Sequence, residues 1–171
     1  HSNVSQCPAF DGTSTWKAGA AVSPHHYIDG QRVAASTDFE LRSPIDQAVL
    51  GRISEGSPAD VDAALGAAQR AFAAWSALTA AERLPLLERF ADEIGRRAEA
   101  FCQLESRDAG VLLSRMRHGV VPRAMQNITW FARHALTLQD RRIDTEQAHH
   151  RVHHDPAGVV AVITPWNAPL M

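Results

Sequence analysis

The clearest chemistry in the chain lies in GVVAVITPWNAP, residues 158–169, where an apolar run leads into a turn that holds Asn167 between Pro165 and Pro169. Each proline pushes the residue before it, Thr164 or Ala168, out of the helical region. Trp166 and Asn167 are thereby held in a stiff loop. The apolar run before it reads as a buried strand, and ligands in open α/β sheets bind at the carboxyl ends of such strands. An Asn side chain offers an NH2 donor that can be aimed at a developing oxyanion, and such a donor works best when it needs no reorganisation. Taken alone, an Asn in a proline-flanked turn more often bonds its own turn backbone, with Trp166 packed as core.

Two other groups of residues could do chemistry. His149, His150, His153 and His154 form HHRVHH. On a helix, 149/153 and 150/154 would each share a face, as metal ligands do. On strands, His149 and His153 share one face and His150 and His154 the other. The segment lacks helical apolar periodicity and no Cys or Glu completes a ligand set, so a polar ribbon is expected and no metal site. Of the two cysteines, Cys7 sits in a polar, aperiodic stretch. Cys102 follows Phe101 and reads as an inert small hydrophobe on a helix.

Several elements must position these groups. Residues 1–24 are small, polar and aperiodic, and are expected to form a mobile tail or a wrapped arm. HHYIDGQRV reads as a hairpin turning at Asp29-Gly30. FELRSPIDQAVLGRISEG reads as a second hairpin, turning near Pro44–Gln47. A helix is expected from Ser57, capped by its hydroxyl, with Pro58 in the first position and Asp60 completing the cap. Val61, Ala64, Leu65, Ala68, Phe72 and Trp75 give it an apolar stripe. Thr79 and Glu82 cap the next helix, whose stripe is Leu84, Leu87, Phe90, Ala91 and Ile94. A third helix over about 98–109 stops at Gly110. The stretch from Ser114 to Leu136 is helical but broken near Pro122. Residues 139–157 turn polar, and read as two exposed strands joined around Asp144–Gln147, either a ribbon that pairs with another subunit or a solvated surface loop.

Composition narrows the function. The chain has 171 residues, a formal net charge of −2 and 45% hydrophobic residues, as an ordinary globular domain does. The near-neutral charge gives no electrostatic case for a nucleic acid or an anionic membrane as partner. No apolar run approaches the ~18 residues of a membrane span, and residues 1–24 lack a signal-peptide core. Two cysteines make no disulfide framework, so a reducing, cytoplasmic location is expected. The first residue is His1, not Met, so the start reads as trimmed.

The motifs also fit together as a resemblance. PWNAP after GVVAVIT resembles the signature at the first nucleotide-binding strand of the aldehyde dehydrogenases. YIDGQRV resembles that family's opening hairpin. SPIDQAVLGRISEGSPADVDAALGAAQRAFAAW resembles its next block, followed in order by AERLPLLERFADEI and LESRDAG. The likeness runs from Tyr27 to Met171. Within the family, VPRAMQNITWFARHA is most similar to the hydroxymuconic semialdehyde dehydrogenases. Asp108-Ala109-Gly110-Val111-Leu112 departs from the common pattern at that helix end.

The resemblance implies an α/β fold: the amino-terminal hairpins and helices of the cofactor domain over 25–138, an oligomerisation ribbon over 139–157, and the first strand of a nucleotide-binding sheet with its Pro-Trp-Asn turn over 158–171. It implies NAD- or NADP-dependent oxidation of an aldehyde or semialdehyde to the carboxylate through a cysteine thioester. Asn167 matches the family's oxyanion donor, and Ile163, Thr164, Pro165 and Trp166 match the strand end along the cofactor. The family's nucleophilic Cys, base Glu and cofactor Lys lie beyond Met171. The chain is therefore expected to be part of a longer protein, a homo-oligomer acting on a small-molecule aldehyde, and inactive alone. The competing expectation is a non-catalytic helical interaction module, or a truncated pseudoenzyme that caps a full-length partner.

Overall fold

The computed structural model describes residues 24–167 and 169–171. The expected tail, apart from Pro24, and Cys7 within it lie outside the described residues, as does Ala168. The described chain is mixed α/β: three separate two-stranded hairpins around a group of helices.

The first hairpin pairs β1 (His26–Ile28) with β2 (Gln31–Val33), His26 opposite Val33. Its turn needs positive φ at both central residues, and Asp29 and Gly30 take φ of 53° and 78°. β3 (Thr37–Arg42) pairs with β4 (Val49–Glu55), with a register shift between Leu41 and Arg42. Ser43 closes their connection: its N–H donates to the Ala48 carbonyl at 2.9 Å and its carbonyl accepts the Gln47 N–H at 2.9 Å. Both hairpins turn where the sequence predicts.

Both capping boxes form. Ser57 starts α1 (Pro58–Ala77), where the Asp60 N–H donates to Ser57 Oγ at 3.3 Å and the Ser57 N–H to Asp60 Oδ2 at 2.9 Å. Thr79 and Glu82 do the same for α2 (Ala80–Arg96). The two helices then differ. The α2 stripe packs, burying Ala91 and Ile94, although Phe90 stays exposed. The α1 stripe forms as predicted but buries no residue, and Val61, Leu65 and Trp75 are all exposed. Capping and periodicity are properties of one segment, whereas burial needs a second element.

α3 (Ala98–Ala109) ends at Gly110 with φ 69°, a left-handed stop that glycine adopts without a Cβ clash. The predicted break at Pro122 does not occur. A short turn, α4 (Leu113–Arg115), widens into a π-helical turn over Met116–Val120 and runs into α5 (Val121–His134), with Pro122 in its first turn. The wider turn accommodates the missing proline N–H without ending the helix. α5 lies along α2, and a core of Ile94, Cys102, Met116 and Val121 sits among α2, α3, the π turn and α5.

The polar ribbon is present as β5 (Arg141–Asp144) and β6 (His149–Val152), every residue exposed. The buried strand expected over 158–164 is not observed. Those residues form no strand and are exposed, Val162 by 80% and Ile163 by 95%. An apolar run becomes a strand only when a neighbour completes its backbone ladder, and no described segment pairs with this one.

Candidate functional site

Residues 163–167 form one exposed run that ends in a turn at Trp166 and Asn167. Trp166 is 84% exposed, so the packed-core alternative for its ring does not hold. Ile163, Thr164, Pro165 and Asn167 are likewise exposed. The structure brings these five residues together by chain adjacency alone. What tertiary structure adds lies on the far side of the turn. Leu170 packs against the helical core, and its backbone N–H donates to the carboxylate of Glu105 on α3.

Glu105 is one of the few polar side chains buried among the described residues. Burial pushes its carboxyl above the usual range, the Leu170 N–H bond pulls it down, and the charge of Asp108 one turn on pushes it up again. Asp108 is itself raised by burial. Glu105 lies three and four residues after Cys102 and Phe101, on the inward stripe of α3, where a hydrophobe would be expected.

Cys102 is 1% exposed in the core, and burial pushes its thiol up, with nearby Glu99 adding to the shift. A buried, protonated thiol is a poor nucleophile. An open groove of about 1010 Å³ runs past it, lined by Glu99, Arg117, Met125, Trp130 and His134 among others, and none of residues 163–167 lines it. In that groove Arg117 holds Glu99 through Nε at 2.9 Å and Nη2 at 2.6 Å. Those bonds first, and the Gln103 amide second, lower the Glu99 carboxyl to about 2.

His149, His153 and His154 lie against aspartates. His149 Nδ1 lies 2.6 Å from Asp144 Oδ1, and His153 Nδ1 lies 2.7 Å from Asp140 Oδ2. The His154 backbone N–H also donates to Asp140, at 3.2 Å. β6 ends at Val152, so His153 and His154 leave the strand and both turn to Asp140, where the alternating strand pattern would put them on opposite faces. Among the described residues no group of three His, Cys, Asp or Glu side chains converges as a metal site would require.

Hairpins, capped helices, a polar ribbon and an Asn turn between prolines follow in that order along the chain. The model of the aldehyde dehydrogenase family matches residues 31–171. The human 2-aminomuconic semialdehyde dehydrogenase is 33% identical over 147 residues, covering 85% of this chain and 30% of that protein. The 2-aminomuconic 6-semialdehyde dehydrogenase of a Pseudomonas species is 35% identical over 152 residues, covering 85% and 31%. Among solved structures, the indole-3-acetaldehyde dehydrogenase of P. syringae, in complex with NAD+, is similar with a TM-score of 0.81 and 31% identity, over 88% of this chain and 31% of that one. The chain belongs to the aldehyde dehydrogenase family. It spans about a third of the length of these relatives.

Proposed function

We propose that these residues are the amino-terminal part of an NAD(P)-dependent aldehyde dehydrogenase that oxidises a semialdehyde to its carboxylate, with Asn167 as oxyanion donor. The family match over 31–171, which takes in the Pro-Trp-Asn turn, carries this reading. The names of the muconic semialdehyde relatives support the substrate class. In this reading the Asn167 amide donates to the oxygen that gains charge when a thiolate adds to the aldehyde carbon. Asn167 is exposed, and prolines stand two residues before and two residues after it in the sequence.

The residues present fit a nicotinamide cofactor. Ile163 and Trp166 offer open apolar faces of the kind a flat heteroaromatic ring covers. Ile163, Thr164, Pro165 and Trp166 would flank the cofactor, which accepts the hydride lost by the aldehyde. Cys102, buried and protonated, supplies no nucleophile. The exposed apolar faces of 158–164 and α1 are what the remainder of a nucleotide-binding sheet and its helices would cover. The exposed ribbon over 141–152 is suited to pair with a second copy and make a homo-oligomer.

Asn167→Ala in the full-length chain tests the role. Removing one oxyanion donor costs about 3 kcal/mol, a fall in kcat of about a hundredfold or more, with the dissociation constant for the nucleotide unchanged. Equal losses in turnover and nucleotide affinity refute the assignment.

A further inference from the structure

We infer that the ribbon meets a second copy of this chain through its face of Arg141, Ile143, His150 and Val152, and that His150 makes the contact weaken as pH falls. The inference rests on the homo-oligomer reading proposed for the ribbon, and adds to it a face and a control.

The pairing register divides the ribbon into two faces. Directly opposed residues of an antiparallel pair share a face, and successive residues alternate. Arg142 stands opposite Arg151, and Asp144 opposite His149. On that face Asp144 takes Arg142 Nε at 2.8 Å and lies 2.6 Å from His149 Nδ1, so its carboxylate already has partners. Arg141 opposite Val152, and Ile143 opposite His150, make the other face. It carries both large apolar side chains of the two strands, Ile143 43% and Val152 42% exposed. They are diagonal neighbours across the strands, so they form one small apolar patch. Association gains where apolar area leaves water, and loses where charges that already have partners must be desolvated. A two-fold contact sets the same patch of each copy together. This patch suits itself, Ile143 and Val152 of one copy covering those of the other.

The charges on this face share one sign. Arg141 and His150 are its titratable groups, and the one carboxylate of β5 and β6, Asp144, lies on the opposite face. Glu146 and Asp155 flank the strands, in the connecting turn and beyond β6. Among the described residues His149, His153 and His154 each lie against an aspartate, and no ion pair is made by His150. Asp140 shows what such a pairing does. Its carboxyl is held below the usual range, first by the His153 side chain and then by the His154 N–H, so it stays an anion as pH falls. Imidazoles change charge between about pH 5 and 8. Protonation therefore sets His149, His153 and His154 as cations against an anion. It sets His150 as a second cation beside Arg141. In the two-fold contact each copy then brings a pair of like charges to the rim of an apolar patch.

Sedimentation equilibrium of the full-length chain at about pH 8 and about pH 5.5 tests this, across the range in which imidazoles titrate. Like charges set against each other weaken a contact, so the dissociation constant of the oligomer is expected to rise about tenfold or more on acidification. Added salt at the lower pH is expected to reverse much of that rise. H150Q is expected to leave a pH effect of about twofold at most, whereas H149Q keeps the wild-type effect. V152K is expected to weaken association at the higher pH. A monomer at the higher pH overturns the homo-oligomer reading and this inference with it. An assembly that V152K leaves unchanged overturns the face and leaves the homo-oligomer standing. Association that is equal at both pH values, or a pH effect that survives H150Q, overturns the role of His150. Should H150Q not fold, the salt series on the wild-type chain decides: recovery of association at low pH supports the repulsion, and no recovery overturns it.

Discussion

Met116→Ala tests whether the small core described above holds the helices together. Met116 is fully buried at the first residue of the π-helical turn, packed with Ile94, Cys102 and Val121. Truncation to Ala loses the transfer free energy of most of a buried side chain, about 2 kcal/mol. It also leaves a cavity, because helices held by capping and by facing neighbours relax only in part, and large-to-small changes of this kind total about 2–5 kcal/mol. The partly buried hydrophobics around the four buried residues can close only part of the space, so about 3 kcal/mol is expected. That is a large fraction of the ~5–15 kcal/mol of a typical domain. For a chain of this length it lowers Tm by about 6–12 °C. Urea unfolding followed by helical circular dichroism reads it as a fall in the midpoint at constant slope. Met116→Leu, close in volume, is expected to cost under about 1.5 kcal/mol. A loss below about 1 kcal/mol for Met116→Ala would refute the idea that this cluster is the core, as would equal losses for Ala and Leu.

Two further outcomes follow from local geometry. Glu99, held by Arg117 and Gln103, has its folded carboxyl lowered from 4.5 to about 2. The stability it contributes is present above about pH 4.5 and disappears as pH falls toward 2. The difference in Tm between wild type and Glu99→Gln is therefore expected to be constant from pH 7 to 5 and to vanish near pH 2; a difference that persists at pH 2 contradicts the pairing. Thr79→Ala removes the acceptor for the Glu82 N–H, made at 3.2 Å, and is expected to cost about 1 kcal/mol by urea unfolding, with Thr79→Ser recovering most of it.

Much of the secondary structure is legible because its signals are local. Asp29-Gly30 demands a turn with two positive φ values, Ser57 and Thr79 each find an acidic partner three residues on, and Gly110 stops a helix, all within a few residues. The polar ribbon is legible for the same reason: in 141–152 only the isolated Ile143 and Val152 are large and apolar. The misreadings are non-local. Val61, Leu65 and Trp75 announce an apolar face, and 158–164 an apolar strand, but neither announces whether a partner is at hand, and in the described residues both stay exposed. Pro122 reads as a break because the clash with the preceding turn is a local rule, while the π turn that relieves it is set by how Met116 and Val121 both enter one core.

The Asn167 turn divides along the same line. Its two prolines and its amide are visible in five residues of sequence, and from them come stiffness and a donor. Stiffness alone does not aim an amide, because a rigid turn on a loose tether points nowhere in particular. Aim requires contacts with the body of the protein, and a contact of that kind near this turn is the packing of Leu170 against the helical core. No pattern within five residues says which distant helices Leu170 will meet, because packing is decided between segments far apart in the chain.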